Sequence, residues 1–247
     1  MKKYECLHPP LVSRIESEIL HVKNQDKAVK TRLHQIYGAY IYPNTHKKAS
    51  ANIQSLISPT VESCSNILKL HASTRERLPY YKEFYDFIEN TTGNIETILD
   101  LGCGFNPFSL PFASWDIKNY HAIDIDMRTM NVINTFFSNL NLPQNAACAD
   151  LIIDTPNVHV DLTFMLKLIP VLEACKPNRG YGLANGISTK WLVISFPTKS
   201  LGGHKKGMER NYSASFFDAI KNRKLESYDL AAENQIGSEL VYVMRNV

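Results

Sequence analysis

The sequence predicts an α/β fold: a parallel sheet covered on both faces by helices, behind a helical N-terminal region. Three observations predict it. From Glu96 onward short apolar runs alternate with helical segments, the order that builds a parallel sheet. Ile98–Pro107, Ile-Leu-Asp-Leu-Gly-Cys-Gly-Phe-Asn-Pro, reads as strand, glycine turn and helix start. Residues 1–90 carry apolar side chains at helical spacing.

The 247 residues suffice for one large domain or two small ones; a helical region 1–90 and an α/β domain 91–247 are expected. No apolar stretch is long enough to span a membrane. No apolar run follows Met1-Lys2-Lys3, so no secretory signal is expected. Cys6, Cys64, Cys103, Cys148 and Cys175 are odd in number and scattered, without zinc-like spacing. Reduced thiols, a cytoplasmic location and no metal are therefore expected.

Leu11, Ile15, Ile19 and Val22 mark a first helix, and Val29, Leu33, Ile36, Tyr37 and Tyr40 a second. The net charge is only +3, yet Lys2, Lys3, Arg14, Lys23, Lys27, Lys30, Arg32, Lys47 and Lys48 crowd residues 1–60 against four acids. Lys23, Lys27, Lys30 and His34 recur at about one-turn intervals. They read either as a solvated face or as one that contacts phosphate. Pro43 interrupts the pattern; Ala49–Ile57 and a longer stretch from Val61 to Glu89 read as helical.

Strands are expected at Thr97–Leu101, Tyr120–Asp124, Ala146–Ala149, Val160–Met165 and Trp191–Phe196, with a final pair near Leu225–Leu230 and Leu240–Arg245. Helices are expected at Pro107–Trp115, Arg128–Leu140, Leu166–Ala174 and Asn211–Lys221. Asn106 reads as an N-cap and Pro107 as a first helical residue.

Gly102 and Gly104, flanking Cys103, allow a sharp turn and close backbone approach to a ligand. A dinucleotide fingerprint would place a third glycine where Pro107 stands. Asp124 follows Gly104 by twenty positions, the spacing at which a carboxylate takes ribose hydroxyls. A ribose without a pyrophosphate suits S-adenosylmethionine, the alternative being a merely structural glycine loop. Asp150 is a candidate acceptor for an adenine amino group with Leu151 beside the ring, or else a loop or capping aspartate. Thr74 could cap a helix. Arg77 is either a surface charge or a bidentate grip on a carboxylate. Lys167 either snorkels or reaches cofactor or target. The fourth strand lacks the Asp/Asn-Pro-Pro-aromatic run of many methyltransferases that act on exocyclic amines. The stretch after Phe196 carries Lys199, His204, Lys205, Lys206, Met208 and Arg210 among glycines, either a solvated loop or a phosphate-holding one.

With these residues in view, the chain resembles the aminoglycoside-resistance methyltransferases that modify 16S ribosomal RNA at N7 of guanine 1405. The likeness rests on Arg32–Tyr40 (RLHQIYGAY), His71–Leu78 (HASTRERL), Leu99–Pro107, Asp161–Pro170 (DLTFMLKLIP), Ile194–Tyr212 (ISFPTKSLGGHKKGMERNY) and Gly237–Val243. It implies a Rossmann-like class I S-adenosylmethionine-dependent methyltransferase fold with a helical N-terminal extension that docks on the small ribosomal subunit. It further implies that Gly102, Gly104, Asp124, Asp150 and Leu151, with Cys103 and Lys167 beside them, hold S-adenosylmethionine and that Arg77 reaches its carboxylate. Lys23, Lys27, Lys30, Arg32, Lys199, Lys205, Lys206, Met208 and Arg210 are then expected on 16S rRNA of the 30S subunit, with a monomer acting. Resistance to gentamicin and kanamycin follows from the same resemblance.

Guanine N7 has an in-plane lone pair and no proton to lose, so no catalytic base is required. The work left to the protein is placement and exclusion of water, after the base is flipped out; Phe105, Phe108 and Phe196 are the candidate stacking partners. Two other readings stay open on the residues: a methyltransferase for a small molecule or another RNA nitrogen, and a non-catalytic module that occludes the drug site.

Overall fold

The computed structural model describes residues 4–20, 23–42, 44–54, 58–199 and 208–247. Strands β1 (Thr97–Leu101), β2 (Asn119–Asp124), β3 (Ala146–Cys148), β4 (His159–Leu166), β5 (Ser188–Pro197), β6 (Tyr228–Ile236) and β7 (Glu239–Asn246) form one sheet in the order β3-β2-β1-β4-β5-β7-β6. β1 to β5 are parallel; β7 lies antiparallel between β5 and β6. The order reverses between β1 and β4, which opens a ligand crevice at their carboxyl ends.

Alternation along β1 divides the interior in two. Ile98 points into a core with helices α3 (Thr45–Gln54), α4 (Val61–Leu68), α6 (Tyr81–Thr92) and α7 (Met127–Asn139). Leu99 and Leu101 point into a second core with α8 (Ile169–Cys175), α9 (Arg179–Gly186) and α10 (Met208–Lys221). Both faces of β1 are therefore covered, which is why it reads as a continuous apolar run. Helices α3, α4 and α6 bury Ile53, Ile67, Phe84 and Ile88 in the same core as β1, so packing is continuous across the expected boundary at residue 90. Only α1 (Pro9–Glu18) and α2 (Gln25–Leu33), with the π-helical turn His34–Gly38, keep a small core of their own around Leu11, Ile15, Leu33 and Tyr37.

Several expected elements differ. The stretch 61–89 is not one helix. It breaks at His71, which is extended, and restarts as α5 (Ala72–Arg77). Pro79 then falls in a 3-10 turn, Leu78–Tyr80, because proline has no N–H with which to continue the α-helical ladder of α5. Pro107–Trp115 is a 3-10 helix over Asn106–Phe112 with Pro111 inside, where the missing N–H cannot support an α-helical ladder. Helix α9 was not expected; its Arg-Gly-Tyr-Gly start carries no apolar periodicity. The penultimate strand begins and ends later than expected, at Tyr228–Ile236. Val22, Ile57 and the stretch 200–207, with His204, Lys205 and Lys206, lie outside the described residues.

The N-terminal pair is fastened to the sheet at one carboxylate. Asp126 caps α7 by accepting from the Arg128 N–H at 2.9 Å. It also accepts from the Tyr37 hydroxyl at 2.5 Å and pairs with His46 Nε2 at 2.8 Å. Burial opposes its charge, but the His46 and Tyr37 contacts and nearby Arg128 outweigh burial and hold its carboxyl at about 2. The stabilisation is present above the unfolded value of 3.8 and fades as pH falls through about 2. Asp126→Asn should therefore cost about 2 kcal/mol near neutral pH. In urea melts, the gap to the parent protein should shrink between pH 4 and 2; a gap that stays constant across that window would remove the ionic contribution.

Candidate active site

The turn after β1 supplies the floor of the crevice. Gly102 and Gly104 have φ of +63° and +49°, angles that cost little only without a Cβ. A Cβ on Gly102 would lie 2.8 Å from Leu168 Cδ1, and one on Gly104 2.9 Å from His71 Cε1. The loop is tied to the end of β2: the Gly104 N–H donates to Asp124 Oδ2 at 2.7 Å, and the Ile125 N–H to Oδ1 at 2.6 Å. Burial raises the Asp124 carboxyl, and those two amides counter it. Cys103 is buried between the glycines, and burial pushes its thiol up.

A chain of charges runs along the ends of β5 and β7. Arg77 is buried; its Nε and Nη2 donate to the two Glu239 oxygens at 3.0 and 2.7 Å, and its Nη1 to Asn106 Oδ1 at 3.2 Å. Glu239 also accepts from Ser195 Oγ at 2.9 Å and lies 3.3 Å from Lys167 Nζ. Burial disfavours charge on Glu239, yet the two cations hold its carboxyl below the usual range. Lys167, at φ +57°, also donates to Glu76 at 2.9 Å. It is thus paired rather than snorkelling, and Arg77 is no surface charge. Asn106 is not the expected cap: its Nδ2 donates to Asp100 at 2.9 Å. Burial pushes Asp100 up to about 7 against the hydrogen bonds from Asn106 and Tyr120. Nor does Thr74 cap a helix. It sits inside α5 and donates to the Leu68 carbonyl at 2.6 Å.

At the other end of the crevice Asp150 is 1% exposed and Leu151 is buried. Arg14 of α1 reaches down to Asp150, Nε to Oδ2 at 2.6 Å and Nη2 to Oδ1 at 3.2 Å. One crevice gathers Arg77, Gly102, Cys103, Gly104, Asp124, Asp150, Leu151 and Lys167. It is roofed by Leu11, Arg14, Tyr37 and Tyr40 of the N-terminal region. His71, which also lines it, stacks on Phe105 with centroids 5.4 Å apart and has no partner for Nδ1 among the described residues. Burial, with Lys167 and Arg77 nearby, holds it at about 3, so it is neutral near pH 7.

Sequence reasoning did not single out Arg14, Tyr37, His46, His71, Asp126 or Glu239 as site or support residues. Tyr37, Tyr40, His71 and Glu239 fall in stretches that carry the family resemblance; Arg14, His46 and Asp126 do not. The proposed stacking rings are unavailable: Phe105, Phe108 and Phe196 are 0%, 0% and 2% exposed and packed on His71, Phe136 and Phe216. Lys23, Lys27, Lys30, Lys199 and Arg210 are exposed, Arg32 half-buried, and Met208 opens α10; none of them lines the crevice. Among the described residues no group of three or more His, Cys, Asp or Glu is placed to hold a metal, and no helix is long and apolar enough to cross a membrane. Cys6, Cys64, Cys103, Cys148 and Cys175 form no disulfide among the described residues.

The residues fit S-adenosylmethionine. The two glycines leave a cradle that a Cβ would fill, Asp124 stands at the end of β2 beside them, and the cations Arg77 and Lys167 line the same crevice. Fold and site together define a class I S-adenosylmethionine-dependent methyltransferase of Rossmann-like fold. Within that class the chain belongs to the ribosomal RNA methyltransferase (FmrO) family, whose model matches residues 1–243. It is 33% identical to a 16S rRNA (guanine(1405)-N(7))-methyltransferase of Frankia casuarinae, over 99% of this chain and 89% of that one. A Serratia marcescens protein of the same name is 33% identical over 99% and 94%. The crystal structure of 16S rRNA methyltransferase RmtF in complex with S-adenosyl-L-homocysteine superposes with TM-score 0.88 at 30% identity, covering 99% of this chain and 93% of that one.

Two variants test the floor of the crevice. Asp124→Ala should weaken S-adenosylhomocysteine binding at least about tenfold, since a charged hydrogen-bond acceptor is lost, with the fold retained by circular dichroism. Gly104→Ala should do the same by steric and backbone strain. Parent-like affinity by calorimetry in either would remove that residue from the site.

Proposed function

We propose that the protein transfers the methyl group of S-adenosylmethionine to N7 of guanine 1405 of 16S rRNA within the assembled 30S subunit, and so protects the ribosome from 4,6-disubstituted deoxystreptamine drugs such as gentamicin and kanamycin. The observation that carries this reading is the full-length likeness to enzymes named for that reaction, at 33% identity over 99% of the chain.

The cofactor supplies an activated methyl group with a good leaving group. The protein's own residues then have three tasks. Asp124 holds ribose hydroxyls, Asp150 the adenine amino group and Arg77 with Lys167 the carboxylate. The roof of N-terminal residues over the crevice limits water, which strengthens these contacts. No base is needed, because N7 has no proton to lose, and His71, the only histidine on the crevice wall among the described residues, acts as a neutral aromatic surface. The extruded guanine must be received by groups other than Phe105, Phe108 and Phe196, which are enclosed by their neighbours.

Lys23, Lys27, Lys30 and Arg32 on the N-terminal pair, and Lys199, Lys205, Lys206, Met208 and Arg210, which follow the fifth strand in the sequence, contact the RNA, mostly at phosphates. Residues 1–90 serve as the docking region, and the enzyme acts as a monomer in the cytoplasm.

Incubation with labelled S-adenosylmethionine and 30S subunits, followed by borohydride–aniline scission, should give one cut at guanine 1405. Label without that cut would move the target; no label would overturn the activity. Expression in a sensitive host should raise the gentamicin and kanamycin concentrations needed to stop growth. Lys199→Glu should weaken 30S binding and lower its dependence on log salt by about one unit; unchanged binding from low to high salt would take Lys199 out of the footprint.

A further inference from the structure

Arg14 has no place in the reaction as described, yet it reaches further into the site than any expectation for a surface arginine allows. Its side chain is 16% exposed, and its guanidinium grips Asp150 with Nε and Nη2 while Nη1 holds Glu18 at 2.7 Å. The fork matches both oxygens of the carboxylate, a geometry lysine cannot supply. Leu11 lies three positions earlier, on the same helix face, and lines the crevice with it. The base of α1 is fixed: the His8 N–H donates to the Ile125 carbonyl at 2.8 Å, and the Met127 N–H to the Cys6 carbonyl at 2.9 Å. The helix is therefore anchored where it presents Arg14 to the site.

The acceptor inventory of Asp150 tells what the grip does. An ionised carboxylate offers about four acceptor directions. Arg14 fills two, and the Ile152 N–H, donating to Oδ1 at 3.1 Å, a third. Among the described residues one direction, on Oδ2, is left for a further donor. A carboxylate held on three sides cannot turn to suit another ligand.

We propose that Arg14 is a positioning residue of the cofactor site: it locks the Asp150 carboxylate so that its remaining acceptor direction takes a purine 6-amino group, and it thereby selects adenine over a 6-oxo purine. The N-terminal helix is on this account part of the cofactor site. A 6-oxo purine would set an acceptor against the locked carboxylate, and a buried acceptor facing an acceptor is costly. The proposal rests on the reading that the crevice binds S-adenosylmethionine with its adenine at Asp150.

The test is calorimetric titration of the full chain and its variants with S-adenosylhomocysteine and with its deaminated 6-oxo analogue, S-inosylhomocysteine. Arg14→Gln should weaken S-adenosylhomocysteine about tenfold, the scale of a hydrogen bond to a charged group, and leave the inosine analogue nearly unchanged, so that the ratio between them collapses. Arg14→Lys, which keeps charge and loses the fork, should also lower the ratio, and it carries the test if the glutamine variant does not fold. Ligand-free melting curves identify the folded variants. A purely structural Arg14 would weaken both ligands alike and keep the ratio, overturning the proposal; so would tighter binding of S-adenosylhomocysteine, the mark of an arginine that competes with adenine. Asp150→Asn separates the two levels. If it collapses the ratio and the Arg14 variants do not, the role of Arg14 fails while the adenine site stands; if it leaves the ratio intact, adenine is not at Asp150 and both readings fail.

Discussion

The buried pair of Arg77 and Glu239 is the constraint around which the site is assembled. Both side chains are 3% exposed. Taking two charges out of water is expensive, and the attraction between them compensates only with good geometry and further hydrogen bonds. Both conditions are met: the guanidinium is bidentate, and Ser195, Asn106 and Lys167 complete the network. The pair ties α5, ahead of the sheet, to β7, which follows the last turn of the chain. The antiparallel placement of β7 beside β5 is what brings Glu239 next to Ser195 and the Lys167 loop.

The N-terminal helices are bound into the molecule by the same logic. Their own core around Leu11, Ile15, Leu33 and Tyr37 is small. They are held through buried carboxylates at the strand ends, Asp126 through Tyr37 and Asp150 through Arg14. Removing Arg14 would leave the buried Asp150 carboxylate without that cation, and removing Tyr37 would take a hydrogen bond from the buried Asp126, so the cost of separation is electrostatic as much as hydrophobic. A segment that reads as an RNA-docking extension also forms the roof over the cofactor crevice.

The polar groups left over in the interior fit a site built for methyl transfer rather than for acid–base work. His71 is held neutral between Tyr40 and Phe105, and Asp100 is shifted up by burial beneath the glycine turn. Asp100 is engaged by Asn106 and Tyr120 and supports the loop; His71 sits against Gly104 at the spacing a Cβ would violate. Both act by shape.

Local pattern made the sheet and the glycine turn legible. Apolar runs flanked by helical segments foretold β1, β2, β4 and β5, and two glycines followed by Asp124 placed the cofactor end of the sheet, because strand periodicity and φ preference are written within a few neighbouring residues. Where prolines compete with periodicity the reading failed, as at Pro79 and Pro111. What the sequence by itself determined is thus the α/β class and the side of the sheet on which the ligand lies. Tertiary structure alone decided the partners of the charges: Arg14 meets Asp150 across 136 positions and Arg77 meets Glu239 across 162. Such pairs depend on which faces pack together, and no local spacing encodes that.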